Sequence, residues 1–392
     1  MQTIIKTKEN QKKKQRCKCF IQFLKKKLLQ GVENLAASGI REVPAVFKLP
    51  SQIQDSCSSC SSSNSSDDEN NGTAGIHEEN SVAVIDLSDL LHQDSERRAS
   101  VVVNIRSALE EWGFFQVVNH GVPTALMDEI LRVYKLFFEL PLEEKTKYYT
   151  TDPNPTFRFG VGRITPSPSA QNWKDFAIVR PGRDLDKLSA HPPTFREVTV
   201  AYNNAMIHLK RELLNALSES LGLSPSFIDD VAGEGEQFFV CNFYPPCPEP
   251  KVAIGASSHS DFGTITTLLQ DDVGGLEILD KHNNWIQVKP LRHALVINAG
   301  DQLEVFTNGK YRSVSHRVRV NPDRCRISIP SFISPLPRTY IAPSPSLVGE
   351  EGPLYKGDSF RDYLVGYYAN DVNEKLYIES IKLKPSGPLQ LH

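Results

Sequence analysis

The sequence predicts an α+β fold in which helices come first and an antiparallel β domain follows. Residues 195–222 carry apolar side chains at spacings of three and four, which indicates a long amphipathic helix that ends at Gly222. From Phe238 onward, short β-prone runs follow one another between turn residues, with few helices among them. This second pattern predicts a sandwich or barrel such as a jelly roll.

The first ordered elements expected along the chain are a strand and two helices. Residues 82–87 form an apolar β-prone run, and residues 98–112 and 124–149 have helical patterns. The long helix over 195–222 then presents its apolar positions on one face. These positions are Val198, Tyr202, Met206, Leu209, Leu213, Leu217 and Leu221.

The β region contains eight predicted strands separated by turn residues. They are 238–244, 252–258, 264–269, 285–288, 294–298, 302–307, 311–320 and 326–333. Asn308-Gly309 separates the sixth and seventh runs, and this dipeptide is typical of a β-hairpin turn.

The amino-terminal part divides into three segments of different composition. Residues 1–30 form a basic tail with ten Lys or Arg and one acid, which we expect to be disordered, and 31–50 form a helix or linker segment. Residues 51–80 are an acidic, serine-rich insert, also expected to be disordered. Cys57 and Cys60 form a CxxC in it, which we interpret as incidental because no second pair follows at zinc-site spacing.

Composition and charge narrow the class of protein. The formal net charge of −3 combines the basic tail with an acidic remainder, so nucleic acid is not expected to be needed for function. The number of cysteines is odd, at seven, and no signal-peptide core is recognisable, which favours a reducing intracellular compartment. No apolar run approaches the length of a membrane-spanning helix.

Three residues of the β region have the character of metal ligands. His259 and Asp261 lie two apart in a predicted strand and therefore point to the same face, and His316 lies on another predicted strand. Two imidazoles and one carboxylate form the facial triad of non-haem Fe(II) oxygenases. These three residues alone are also compatible with a site that binds no metal, in which His259 and Asp261 form a hydrogen bond at a strand end and His316 is unrelated to them.

A second constellation suits a carboxylate ligand. Arg326 and Ser328 share a face of the last predicted strand, and a guanidinium beside a hydroxyl binds carboxylates well. Asn242 and Tyr244 share a face of the first strand, which Pro245 ends. An isolated Arg-x-Ser also fits an exposed strand.

The motifs occur in an order that closely resembles the plant-type 2-oxoglutarate- and Fe(II)-dependent dioxygenases, such as flavonol synthase, anthocyanidin synthase and gibberellin oxidases. The resemblance covers about 32–380, with the serine-rich insert interrupting it, and includes the segments 112–122 and 173–175. The matching motifs are NxYPPCP from Asn242, HxD from His259, GGL from Gly274, NxGD from Asn298, NGxYxSxxHRV from Asn308 and RxS from Arg326.

This resemblance implies a double-stranded β-helix, or jelly roll, wrapped by amino-terminal helices. The helical region would span 81–235, the catalytic jelly roll 236–340, and a carboxy-terminal helical segment and tail 341–392. Iron is assigned to His259, Asp261 and His316. The 2-oxoglutarate carboxylate is assigned to Arg326 and Ser328, assisted by Tyr244 and Asn242. His120, in an NHGV segment, is interpreted as structural because the family takes no ligand there.

The substrate pocket is less strongly specified by the sequence. Phe332 matches an aromatic position that stacks on flavonoids in relatives, and Val240 stands where the flavonoid enzymes resemble one another in carrying a lysine. Phe157 and Phe159, in a predicted loop, are further pocket candidates. A largely apolar specialised metabolite or hormone is therefore the expected substrate, and plain core packing is the alternative for Phe332.

The expected enzyme uses Fe(II), 2-oxoglutarate, O2 and ascorbate, and releases succinate and CO2 as it hydroxylates, desaturates or demethylates a small molecule. One alternative is a same-fold oxidase that does not use the keto acid, like aminocyclopropane-carboxylate oxidase. A second is a non-catalytic interaction protein, which the intact triad argues against. We expect a monomer that is located in the cytoplasm. The alternative location is the nucleus, because the basic amino terminus resembles a nuclear signal.

Overall fold

Helices precede the main β domain along the chain, as the sequence predicts. The computed structural model describes residues 31–50, 82–91, 95–152, 154–164, 169–232, 235–370 and 376–384. The predicted basic tail, the serine-rich insert and its CxxC lie outside the described residues.

The helices flank the β domain on both sides in sequence. In chain order they are α1 Val32–Ala37, α2 Ser95–Trp112, α3 Thr124–Phe138, α4 Leu142–Thr146, α5 Phe195–Ser220, α6 Phe227–Ala232, α7 Asp301–Phe306, α8 Phe360–Ala369 and α9 Tyr377–Ser380. Short 3-10 turns occur at Ala45–Phe47, Ser88–Leu91, Leu185–Lys187 and Pro345–Leu347.

The strands come from both halves of the chain. In order they are β1 Val84–Asp86, β2 Phe114–Val118, β3 Phe157–Val161, β4 Asp175–Val179, β5 Glu236–Tyr244, β6 Ala256–His259, β7 Ile265–Gln270, β8 Leu276–Leu279, β9 Trp285–Gln287, β10 Leu295–Ala299, β11 His316–Val318, β12 Arg326–Ser334, β13 Tyr340–Ile341 and β14 Asp358–Ser359.

Two sheets form the β domain. The larger has the strand order β1-β2-β10-β7-β12-β5-β4-β3, and the smaller has the order β6-β11-β8-β9. Only β1 and β2 run parallel in the larger sheet, and the other described pairs are antiparallel. Between residues 236 and 334, β5, β7, β10 and β12 belong to the larger sheet and β6, β8, β9 and β11 to the smaller one. The chain therefore passes repeatedly from one sheet to the other, as in a jelly roll.

The larger sheet buries both of its faces. One apolar cluster combines helical residues such as Ile130 and Leu213 with strand residues such as Phe239 and Ile329. A second cluster joins the two sheets through residues such as Leu268 and Ile278. Side chains alternate along a strand, so each strand of the larger sheet contributes to the helix layer and to the space between the sheets.

The long helix confirms its sequence prediction. α5 buries Val198, Tyr202, Met206, Leu213 and Leu217, the positions that recur at helical spacing. The chain leaves the helix through Gly222, which has φ of +74°. Glycine adopts this left-handed conformation without the steric cost that a Cβ would bring.

The predicted helix over 124–149 is wrong as one element. It divides into α3 and α4, and Pro141 precedes the second of them. Proline cannot donate the backbone hydrogen bond of a helix interior but is well tolerated before the first turn, so the chain restarts a helix there.

The predicted strand 302–307 and its hairpin are also wrong. Residues 301–306 form α7, and Asn308 and Gly309, with φ of +52° and +82°, follow its end. Gly309 N–H donates to Glu304 O at 2.9 Å, which closes the helix. An Asn-Gly pair supplies left-handed residues that serve a helix terminus as well as a hairpin, and burial of the segment decided between them.

Six strands lie outside the predicted runs, namely β2, β3, β4, β8, β13 and β14. Of these, β2, β3 and β4 belong to the larger sheet and β8 to the smaller one. The short length of β8, four residues between turns, explains why its pattern is weak. No helix among the described residues is long and apolar enough to cross a bilayer.

Packing of α5 onto the sheet generates a stability prediction. Leu213 is 1% exposed within the main core, so we expect Leu213→Ala to lower the free energy of unfolding by about 2–5 kcal/mol, through lost burial and a cavity. Ile207 lies on the same helix but is 39% exposed, and Ile207→Ala is the matched control. Denaturant unfolding measures both. Equal losses in the two variants would contradict this account of the core.

Candidate metal centre

Two histidines face each other across the smaller sheet. His316 of β11 and His259 of β6 are register partners, and their ring centroids lie 4.3 Å apart. Non-adjacent parts of the chain thereby bring two imidazoles to one point. Both histidines were predicted as metal ligands from the sequence, but the pairing of their two strands was not.

A carboxylate completes the group. Asp261 follows β6 by two residues, so it lies just past the strand and not in it as expected. Its Oδ1 is 3.9 Å from His259 Nε2 and 3.7 Å from His316 Nε2. One ligand atom from each residue lies within 4.8 Å of the others, and the arrangement suits a single metal ion.

Backbone carbonyls orient both imidazoles. His259 Nδ1 lies 2.7 Å from Ser257 O, and His316 Nδ1 lies 3.2 Å from Val314 O. A carbonyl oxygen only accepts, so each Nδ1 carries the proton and each Nε2 keeps a lone pair. Both lone pairs are therefore available to a metal beside Asp261, which is the usual outer-shell arrangement for metal-bound histidines.

Asp261 is held by its other oxygen. Thr266 Oγ1 and Asn298 Nδ2 donate to Asp261 Oδ2 at 2.6 and 2.9 Å. Asp301 N–H donates to the backbone oxygen of Asp261 at 2.7 Å. These contacts leave Oδ1 directed at the two imidazoles. The NxGD motif from Asn298 therefore supports the ligand, a role that sequence reasoning did not assign.

The protonation of the group suits metal binding. Burial lowers the pKa of His259 to about 4, with His316 adding to the effect, so this imidazole is neutral at pH 7. Burial opposes ionisation of Asp261, but the two histidines and the hydrogen bonds from Thr266 and Asn298 outweigh it and lower its pKa. A neutral imidazole and an ionised carboxylate are the forms that ligate a metal.

An arginine lies on the larger sheet in the same pocket. Arg326 Nη1 donates to Ser328 Oγ at 3.1 Å, Nη2 donates to Gln270 Oε1 at 2.8 Å, and its guanidinium lies 5.1 Å from the Tyr244 ring centroid. In the strand register, Arg326 pairs with Tyr244 and Ser328 with Asn242. The four residues predicted to grip a carboxylate therefore converge, and Gln270 is an addition that the sequence did not reveal.

This second site has the character of an anion site. Arg326 is 2% exposed, and no described carboxylate forms an ion pair with it within 4 Å. Its Nε and the Nε2 of Gln270 are buried without a hydrogen-bond partner. A buried cation with unused donors is costly unless an anion binds it, so a dicarboxylate that reaches from Arg326 to the metal fits the site.

Two family models match the chain. Residues 235–335 match the 2OG-Fe(II) oxygenase superfamily, and residues 82–196 match the amino-terminal region of the non-haem dioxygenases, described as acting in morphine synthesis. Together the matches cover more than half of the chain.

The chain belongs to the 2OG-Fe(II) oxygenase superfamily. It is 38% identical over 288 residues to Protein DMR6-LIKE OXYGENASE 1 of Arabidopsis thaliana, covering 72% of this chain and 81% of the relative. It is 36% identical over 303 residues to Flavanone 3-dioxygenase 2 of Oryza sativa subsp. japonica, covering 76% and 86%.

A solved structure has the same fold. The crystal structure of JOX2 in complex with 2OG, Fe and JA superposes with a TM-score of 0.76 at 30% identity, covering 90% of this chain and 98% of JOX2. The predicted α+β jelly-roll class is confirmed. The protein is a 2-oxoglutarate-dependent dioxygenase that uses Fe(II), and the interpretation as a non-catalytic interaction protein is set aside.

The oxygenase pocket contains two of the predicted substrate residues. Phe332 and Val240 line the same pocket as His259, Asp261 and Arg326. Phe332 lies four residues after Ser328 on one strand face, as the alternation predicts. Phe238 stacks on Phe332 with ring centroids 5.2 Å apart, which adds an aromatic surface to this side.

Phe159 lies elsewhere. It is fully buried in the main core, with its ring centroid 6.3 Å from that of Phe137, and Phe157 packs in the same core. Both residues are in β3, not in a loop, and they share the face toward the helices. Alternation directs the intervening Arg158 to the other face, over the ring of Phe176.

His120 is structural, as interpreted from the sequence. Its Nε2 contacts His293 O at 3.0 Å, and its Nδ1 accepts from Val122 N–H at 3.2 Å. Burial lowers the pKa of His120. Both nitrogens are engaged within the fold, and the ring is no part of the His–Asp–His group.

The metal centre generates a direct prediction. We expect Asp261→Ala to weaken Fe(II) or Mn(II) binding by more than about tenfold, because the site loses its only anionic ligand while both imidazoles stay in place. Asp272→Ala is the control, since Asp272 is exposed and pairs with Arg324. Metal titration by calorimetry measures both variants. Undiminished affinity in Asp261→Ala would remove Asp261 from the ligand set.

Proposed function

We propose that this dioxygenase oxidises a C–H bond of a small, largely apolar specialised metabolite or hormone. His259, Asp261 and His316 would hold Fe(II), and Arg326, Ser328, Tyr244 and Asn242 would hold 2-oxoglutarate. The outcome for the substrate would be hydroxylation, desaturation or demethylation, with release of succinate and CO2.

The observation that carries this proposal is the pairing of two sites in one pocket. The His–Asp–His group and the buried Arg326 both line it, and Arg326 has no described carboxylate partner. A ligand with one carboxylate for Arg326 and a second oxygen group for the metal would satisfy both.

Each side chain has a task that its contacts support. Bound Fe(II), 2-oxoglutarate and O2 supply the oxidising chemistry. Arg326 and Ser328 fix the far end of the keto acid, and the surrounding burial strengthens that charge-assisted bond. Thr266 and Asn298 keep Asp261 Oδ1 directed at the metal position. The apolar walls exclude water from the reacting centre.

The pocket surface supports an apolar, ring-containing substrate. Phe332 and Val240 form a wall with Phe176, Ile178 and Phe238. A relative is named for flavanone and JOX2 was solved with JA, so related pockets accept small organic molecules. Aromatic walls favour flat or ring-bearing ligands through their large contact area.

Other expectations stay predictions. They are the monomeric state, the use of ascorbate, and the cytoplasmic location with the nucleus as the alternative.

Measuring whether succinate is released in proportion to the substrate oxidised tests the proposed reaction. Oxidation without succinate would instead support the oxidase alternative that does not consume the keto acid.

The arginine generates a test of co-substrate binding. We expect Arg326→Lys to weaken 2-oxoglutarate binding by about 1.5–3 kcal/mol, because a point charge replaces a two-pronged donor. Titration of the Mn(II)-loaded variant with 2-oxoglutarate measures the loss, and metal affinity should hardly change.

The control for this arginine is Arg324→Lys, which alters an exposed arginine two residues earlier that pairs with Asp272. This variant should bind 2-oxoglutarate like the parent protein. An Arg326→Lys protein with the parent's affinity would show that Arg326 does not clamp the carboxylate.

Phe332 generates a test of the pocket. We expect Phe332→Ala to cut substrate-dependent succinate formation at least about tenfold, because the substrate loses an aromatic contact. Substrate-independent decarboxylation of 2-oxoglutarate should persist, since metal and keto-acid residues are untouched. Phe227→Ala is the control, because Phe227 is also partly buried but packs on Phe306. If Phe332→Ala stays folded and loses both activities equally, Phe332 is a core residue.

A further inference from the structure

A lysine lies in the pocket beside the keto-acid residues. Lys174 is 6% exposed and lines the pocket with Asn242 and His259. Its Nζ donates to Asn242 Oδ1 at 2.8 Å, and no described carboxylate forms an ion pair with it within 4 Å. An ammonium group has three donors, so two remain for a ligand.

The neighbours of Lys174 explain why its side chain points inward. Trp173 donates from Nε1 to Pro245 O at 3.1 Å, and Asp175 accepts from the backbone N–H groups of Val32 and Glu33 at 2.7 and 3.1 Å. Trp173 is therefore tied to the residue after β5, and Asp175 ties the start of α1 to β4. Lys174 stands between them on the opposite face, toward the pocket.

The charges of the filled pocket leave Lys174 uncompensated. Asp261 and the two carboxylates of 2-oxoglutarate carry three negative charges, whereas Fe(II) and Arg326 carry three positive ones. Lys174 is the further cation among the described lining residues. A buried cation without an anionic partner is unfavourable, so a pocket with all of these groups favours one more negative charge.

An apolar wall adjoins the lysine. Its Nζ is 6.0 Å from the centroid of the Phe176 ring, and Phe176 packs with Ile178, Val240 and Phe332. A ligand in this corner would meet a cation at one end and ring surfaces along its body.

We infer that Lys174 determines substrate specificity by donating to a carboxylate on an otherwise apolar, ring-bearing substrate. This inference rests on the proposed function and narrows its substrate class from apolar molecules in general to hydrophobic acids. Lys174 hydrogen-bonds to Asn242, one of the residues assigned to 2-oxoglutarate, but it has no hydrogen bond to the metal ligands or to Arg326.

The electrostatics of the pocket agree with this role. Burial, together with the nearby guanidinium groups of Arg163 and Arg326, lowers the pKa of Lys174 to about 7. A carboxylate beside Nζ would favour the charged form, so ligand and lysine would stabilise each other.

The test compares acids with their neutral isosteres. The full-length protein is saturated with Mn(II) and 2-oxoglutarate, so that no turnover occurs, and titrated with cinnamate, 3-phenylpropanoate and 2-naphthoate and with the three matching primary amides. We expect the wild-type protein to bind at least one acid about tenfold to a hundredfold more tightly than its amide, the range of a buried charge-assisted hydrogen bond.

Variants assign that preference to the lysine. Lys174→Met should abolish it, and Lys174→Arg should retain it, because the second variant keeps the charge. Lys174→Gln replaces the methionine variant if that protein does not fold. Lys210→Met is the matched control, since Lys210 is also largely buried but lies on α5 and pairs with Asp229 at 3.7 Å.

The outcomes separate the inference from the proposed function. No preference for acids in the wild-type protein, no binding of any acid, or a preference that survives in Lys174→Met overturns the inference. An equal loss of 2-oxoglutarate affinity in Lys174→Met also overturns it, because Lys174 would then serve the co-substrate. Failure of the wild-type protein to bind 2-oxoglutarate would contradict the proposed function itself.

Discussion

Cross-strand pairing of β6 with β11 fixes the metal centre, because it sets His259 directly opposite His316. Asp261 can join them only because the chain turns just after β6 and Thr266 and Asn298 hold one carboxylate oxygen. β7 and β10, which carry these two donors, belong to the other sheet. The metal position therefore depends on both sheets closing around one pocket, and a shift of either would misdirect the carboxylate.

Alternation along single strands divides the larger sheet between stability and chemistry. On β12, Ile327 and Ile329 enter the core beneath the helices, whereas Arg326 and Ser328 face the pocket. A one-residue slip would exchange these faces and bury charge in the core. The strand register that places Ile327 and Ile329 in the core is thus the same register that presents Arg326 and Ser328 to the pocket.

The sequence predicted the chemistry of the site better than its surroundings. His259, Asp261, His316 and Arg326 could be found because each of them lies in a short local motif. The segment 173–175 was also found, but the direction of the Lys174 side chain could not be predicted, because it depends on how Trp173, just before β4, and Asp175, at its start, are packed. That packing depends on contacts with residues more than 70 positions away.

Errors in the predicted elements have a similar cause. Phe159 was predicted to line the pocket from a loop, but it lies in β3, where alternation sends its side chain to the helix layer. Asn308-Gly309 was taken as a hairpin turn because the dipeptide alone cannot show whether a helix precedes it. In both cases a local pattern was compatible with two structures, and tertiary packing selected one.

Aromatic contacts link the pocket wall to the carboxy-terminal helix. Phe262 stacks on Phe332 with centroids 6.0 Å apart and contacts Tyr367 and Tyr368 of α8. Tyr367 Oη also donates to Ser260 O at 2.8 Å, beside the metal ligands. The aromatic wall is thus built from the turn after β6, from β12 and from α8. The metal ligands come from β6, the same turn and β11. The wall and the metal-ligand turn are therefore linked, because Phe262 directly follows Asp261 and Tyr367 holds the Ser260 carbonyl.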